Sequence, residues 1–167
     1  MLEVVSTSED AEIRSISAAG GIGVDWVLGG THPERGREIL AGTPARYCPF
    51  PGTVLDHPSI LKGEITEIAE HARRLTATPG IDGLDLLAYR HVSADPVSLV
   101  RSVVAAAAGP VIVAGSVASL PQIRDIAAAG AWGFTIGGAI FEAKLPGGPD
   151  LAGQIKAVLS AASAAGE

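Results

Sequence analysis

Two late segments of the chain carry the residue types best suited to holding an anion: Pro110-Val-Ile-Val-Ala-Gly-Ser116 and Ala131-Trp-Gly-Phe-Thr-Ile-Gly-Gly-Ala-Ile-Phe141. Each reads as an apolar strand that runs into glycine. Gly115, Gly137 and Gly138 have no Cβ, so their backbone N–H groups can come close to a ligand. Helical turns after such glycines offer further free amides at a positively polarised end, which favours phosphate. Gly115, Ser116, Gly137, Gly138 and Ala139 therefore form the candidate phosphate-binding set. The plainer alternative is that these glycines only permit tight turns.

Polar residues inside apolar runs are the second signal, because their burial has to be compensated. In Gly83-Leu-Asp-Leu-Leu-Ala-Tyr-Arg90, alternation puts Leu84, Leu86 and Ala88 on one face and Asp85, Leu87 and Tyr89 on the other. Tyr89 and Arg90 fall at the end of the run. Arg90 suits a carboxylate or phosphate, and Tyr89 suits donating or accepting a proton. Asp85 reads equally well as a structural partner of a buried Arg or backbone amide. Glu3, between Leu2 and Val4, is expected to point inward as a general base with a pKa raised by burial. The alternative is an exposed residue beside the N-terminus. His32, in Gly29-Gly-Thr-His32, is placed for acid–base work or metal ligation, or is simply exposed behind a capping Thr31. Glu3, His32, Asp85, Tyr89 and Arg90 are the candidate catalytic groups. A divalent metal on Glu3, His32 and Asp85 is conceivable, but no close-spaced His or carboxylate pair supports it, and no cofactor is expected. Among the other histidines, His71 reads as solvated on a helix, His57 lies in a long loop, and His91 is expected to point away if Arg90 points in.

Elements that would position these residues alternate along the chain. Candidate strands are Leu2–Val5, Asp25–Leu28, Arg46–Phe50, Leu84–Ala88, Val111–Ala114 and Gly133–Ile136, most bracketed by Gly or Pro. Between them, Ile65, Ile68, Ala69, Ala72 and Leu75 recur at helical spacing. Asp95-Pro96 reads as a cap followed by the first helical residue, Ser119 with Gln122 as a capping box, and Thr7 or Ser8 as the cap of a first helix. A last helix is expected over about Leu151 to Ala164. Pro51–Gly63 is the longest irregular stretch and is expected to be an active-site flap or a plain insertion.

An unbroken β-α order implies parallel strands with right-handed crossovers, either an open doubly wound sheet or part of a barrel. The two glycine-ended segments resemble the phosphate grip after strands seven and eight of the ribulose-phosphate-binding (β/α)₈ barrel superfamily, over about Leu84–Phe141 and more weakly from Leu2 to Phe50. That resemblance implies a single parallel TIM-type barrel domain over residues 1–167, incomplete, its six units corresponding to strands three to eight. It also implies an isomerase, epimerase or aldol-type lyase that moves a proton beside a carbonyl of a phosphorylated sugar. Lys, Asp or aromatic residues on the two absent strands would be missing, so a non-catalytic phosphate-binding remnant is the first alternative. A flavodoxin-like binding or signalling domain is the second.

Bulk properties bound these readings. The chain has 167 residues, 47% of them hydrophobic and only 4% aromatic, as buried parallel strands under closely packed helices require. Net charge is −6 with basic residues scattered, so no nucleic-acid footprint is expected. No apolar run is long enough to span a membrane, and Met1-Leu2-Glu3 does not begin like a signal peptide, so a cytoplasmic protein is expected. One cysteine, Cys48, allows no intrachain disulfide and reads as a core residue. Neither a Gly-x-Gly-x-x-Gly fingerprint nor a P-loop lysine motif is present. Six strands that do not close leave open edges, so a homo-oligomer is expected.

Overall fold

The computed structural model describes residues 1–6 and 8–165, so Thr7 as a possible cap lies outside the described residues. In chain order the strands are β1 (Leu2–Val4), β2 (Trp26–Gly29), β3 (Arg46–Cys48), β4 (Thr53–Leu55), β5 (Ile60–Lys62), β6 (Leu84–Leu86), β7 (Val111–Val113) and β8 (Gly133–Phe134). The helices are α1 (Glu9–Ile22), α2 (Pro33–Leu40), α3 (Ile65–Thr76), α4 (Pro96–Ala106), α5 (Leu120–Ala128), α6 (Gly138–Phe141) and α7 (Leu151–Ala165). All six expected strands form, five of them shorter than their apolar runs and the second shifted by one residue to Trp26–Gly29. The long loop adds a hairpin, β4–β5, that the sequence did not announce.

Helix starts follow local chemistry. Ser8 accepts from the Ala11 N–H at 3.4 Å and Asp95 from the Ser98 N–H at 2.8 Å. Gln122 reaches back to the Ala118 N–H at 2.8 Å while Ser119 Oγ accepts from Gln122 N. Each bond satisfies an amide that the first turn leaves free.

The strands fall into three small sheets: β1-β2-β3 and β6-β7-β8, both parallel, and the antiparallel pair β4-β5. Two backbone bonds, Asp82 N–H to Tyr47 O (2.8 Å) and Asp85 N–H to Pro49 O (3.1 Å), tie the first parallel sheet to the second. The expected TIM-type barrel is overturned. Closure requires every strand to be paired along both edges, whereas β1 pairs only with β2 and β8 only with β7 among the described residues. The molecule is an α/β assembly of three small sheets without a closed ring.

Period-two alternation gives the parallel sheets two different faces. Val4, Val27, Tyr47, Leu84, Leu86 and Val111 join a main core shared with the helices, which reaches Val158 on α7. On the opposite face Leu28, Cys48 and Ile112 form a separate small cluster with Trp26 packed against it. Register places Glu3 beside Leu28, Leu28 beside Cys48, and Asp85 beside Ile112, so two carboxyls belong to this second face. Trp26 meets Trp132 with ring centroids 5.3 Å apart, and Arg46 lies 4.9 Å over Trp26. This contact fastens the N-terminal ends of the two parallel sheets together. No helix among the described residues is long and apolar enough to cross a membrane.

Candidate functional site

Both glycine-ended segments open into one cleft of about 500 Å³ at the C-terminal ends of the strands. Gly115 and Ser116 line it after β7, and Gly137, Gly138 and Ala139 line it after β8, with Glu3, Arg90 and Lys144. Gly115 and Ser116 both have positive φ, 74° and 61°. For Ser116 this is the left-handed region that side chains disfavour, so the surrounding structure must hold it there. The approach at Gly115 is equally tight: a Cβ would sit 2.6 Å from Arg90 Nε. Arg90 Nε in turn donates to Ser116 Oγ at 3.3 Å. None of the N–H groups of Gly115, Ser116, Gly137 and Gly138 is taken by a protein acceptor among the described residues.

Arg90 reaches this cleft because the strand ends early. β6 stops at Leu86 and residues Ala88–Arg90 form a single 3₁₀ turn, which abolishes the alternation expected there. Arg90 turns toward the cleft and Tyr89 does not line it. The Tyr89 hydroxyl is buried without a partner among the described residues, and its pKa is raised by burial and by the carboxylates of Asp125 and Asp95, which belong to the helix side of the sheet.

Glu3 is exposed along the cleft, but enough protein surrounds it to raise its carboxyl pKa, an effect offset in part by Arg90. Asp85 is fully buried, and neither carboxyl oxygen has a hydrogen-bond partner among the described residues. Burial first, and then the Glu3 charge, hold its pKa well above the ordinary range, with Arg90 acting against them. A carboxyl in that setting is held as the neutral acid. It also touches the chemistry of Cys48, whose thiol is pushed up to about 12 by burial and then by Asp85 and Asp82; this buried thiol is inert.

His32 is placed elsewhere, in a second cavity of about 450 Å³ under the β4–β5 hairpin. It therefore cannot share a metal with Glu3 and Asp85 as the sequence allowed, and no group of three or more His, Cys, Asp or Glu among the described residues is arranged to hold one. Its anchor is Glu12, which sequence reasoning missed. Glu12 accepts from Thr31 N and Oγ1 (both 2.9 Å) and His32 N (2.8 Å), and lies 3.2 Å from His32 Nδ1. Burial alone would raise this carboxyl's pKa, but those bonds outweigh it and lower it. The signal was available: Glu12 falls on the same helical stripe as the buried Ile16 and Ala19.

Two further histidines are structural. His71 is half-buried rather than solvated, and its Nδ1 accepts from the Gly52 N–H at 2.9 Å. His91 Nδ1 accepts from Ser93 N (3.1 Å) and Ala94 N (2.8 Å), so its proton sits on Nε2, which donates to Gly63 O at 2.8 Å. Lys144, paired with Glu142 at 2.5 Å, is a cleft cation that no sequence pattern singled out.

No family model matches the sequence, and no curated protein matches it. Among solved structures, the chain is similar to a chain of the BexX/CysO complex from Amycolatopsis orientalis, with 17% identity and a TM-score of 0.63 over 96% of this chain and 64% of that one. It is also similar to a mandelate racemase/muconate lactonizing enzyme from Jannaschia sp. CCS1, with 16% identity and a TM-score of 0.51 over 96% of this chain and 42% of that one. The chain thus spans less than two-thirds of either neighbour, and at these identities the likeness is one of fold. These findings and the open sheets overturn the resemblance to the ribulose-phosphate-binding barrel superfamily. The isomerase, epimerase and lyase activities drawn from that resemblance lose their support with it.

Proposed function

We propose that the chain binds a small phosphorylated metabolite in the cleft between the ends of β7 and β8. The convergence of two glycine turns and Arg90 on one cleft carries this reading. Free backbone amides at Gly115, Ser116, Gly137 and Gly138 suit the oxygens of a phosphate, and Arg90 supplies positive charge beside the Lys144–Glu142 pair. Glu3 faces the same space with its carboxyl pKa raised by burial, beside the part of the ligand that the phosphate anchors.

Calorimetric titration with inorganic phosphate and with a simple phosphate monoester tests the reading. Saturable binding is expected, weakened about tenfold or more in Arg90→Ala, as the loss of a charge-assisted hydrogen bond implies. Absence of saturable binding, or an unchanged affinity in that variant, sinks it.

A protein partner is a second reading. The BexX/CysO structure is by its own description a complex of two proteins. In this chain α7 exposes Leu151, Ile155 and Leu159, one turn apart along a single face. With sheet edges open at β1 and β8, a second copy of the chain is the partner that the expectation of a homo-oligomer names.

A further inference from the structure

The anion cleft is built from both parallel sheets, and the two contributions differ in chemistry. The β6-β7-β8 side brings the glycine turns and Arg90, whose Nε is bonded to Ser116 Oγ. The β1-β2-β3 side brings Glu3 alone. Its carboxylate forms no ion pair among the described residues. Asp85 lies on the same inward face: the pleat sets Glu3 beside Leu28 and Asp85 beside Ile112, members of one small cluster. Asp85 is fully buried, and no donor reaches either of its oxygens among the described residues. The charges that act on it are those of Glu3 and Arg90, two residues of the cleft. A buried polar group in that state points to a missing partner, and its neighbours place that partner in the cleft. The cleft's own cations are engaged elsewhere, Arg90 at Ser116 and Lys144 at Glu142. A phosphate that neutralises Arg90 leaves Glu3 without a compensating charge and Asp85 without a donor, and an ammonium on the ligand supplies both.

We infer, resting on the phosphate reading of this cleft, that its ligand is a short-chain phosphomonoester that carries an ammonium group. The phosphate takes the free amides of Gly115, Ser116, Gly137 and Gly138 together with Arg90. At the other end the ammonium N–H groups donate to Glu3 and point toward Asp85. A carboxylate in the ammonium's place meets Glu3 and is repelled, and a methyl group leaves both carboxyls as they were. One sheet thus reads the anionic end of a zwitterion and the other its cationic end.

Calorimetric titration of the whole chain with aminoethyl phosphate, propyl phosphate and carboxymethyl phosphate tests this, because they share the phosphate and differ in charge at the far end. Aminoethyl phosphate should bind about fivefold to tenfold tighter than propyl phosphate, and carboxymethyl phosphate more weakly than either. In Glu3→Gln the ratio of the aminoethyl to the propyl affinity should fall to about one, the loss of one charge-assisted hydrogen bond. Equal affinities in the parent chain overturn the inference, as does a preference for carboxymethyl phosphate or a ratio that survives Glu3→Gln. Saturable, Arg90-dependent binding of propyl phosphate would in those cases leave the phosphate reading standing. If none of these esters binds, both fall. Where Glu3→Gln does not fold, the ranking in the parent chain decides by itself.

Discussion

Asp85 occupies a costly position. Its carboxyl is fully buried, lacks a hydrogen-bond partner and has its pKa raised, so the folded state holds a proton that the unfolded state releases above the ordinary aspartate value of 3.8. The sign follows from linkage: with a folded pKa above the unfolded one, the penalty is absent at low pH and grows as pH rises through that value. Asp85→Asn should therefore gain about 1–3 kcal/mol over the parent chain at neutral pH and little near pH 4, read from denaturant unfolding at the two pH values. An advantage that does not change with pH would assign the effect to packing instead. Gly115 is constrained in the opposite sense. Its φ of 74° and the 2.6 Å separation that a Cβ would have from Arg90 Nε leave no room for a side chain. Gly115→Ala should displace Arg90 and weaken phosphate by about as much as Arg90→Ala does, whereas Gly137→Ala meets nothing within 4 Å and should keep most of the affinity.

At the scale of elements, one ring ties the approach to the β4–β5 hairpin to α3. His71 on α3 accepts the Gly52 N–H at 2.9 Å at the point where the chain leaves β3 for the hairpin. Burial first, and Arg74 second, lower the pKa of His71 from its ordinary 6.5. A depressed folded pKa means that the unfolded chain takes the proton first, so stability is present above pH 6.5 and is lost as pH falls below it. His71→Ala should cost about 1–3 kcal/mol at pH 7.5 by leaving the Gly52 amide unpaired, and it should also flatten the loss of stability between about pH 7 and pH 5. Hydrogen exchange at Gly52 would report the local opening. On α1, Glu12 plays a comparable part for the Thr31–His32 turn: one carboxylate satisfies two backbone amides and a hydroxyl.

For the whole molecule, the open sheets govern behaviour in solution. Among the described residues β1 and β8 each present an unpaired edge, and α7 exposes Leu151, Ile155 and Leu159, the last at 62%. Burying such surface on association is favourable at roughly 25 cal/mol per Å². Light scattering should show mass rising with protein concentration, and Ile155→Glu with Leu159→Glu should return the chain to a monomer with its thermal unfolding little changed. A stable monomer of the parent chain at high concentration would count against self-association.

Much of the local structure was legible from the residues alone. Aliphatic runs bracketed by Gly or Pro located all six parallel strands, and Ser8, Asp95 and Ser119 marked helix starts, because capping and alternation depend on neighbours within about four positions. The late glycine segments were legible too, since a missing Cβ is written in the sequence. What was not legible depends on distant partners. Thr53–Leu55 and Ile60–Lys62 are too short to show alternation, so the hairpin stayed hidden, and a 3₁₀ turn at Ala88–Arg90 took Tyr89 away from the cleft that Arg90 lines. Only the tertiary structure separated His32 from Glu3 and Asp85, paired it with Glu12, and left the sheets open, because closure is a property of all strand edges at once.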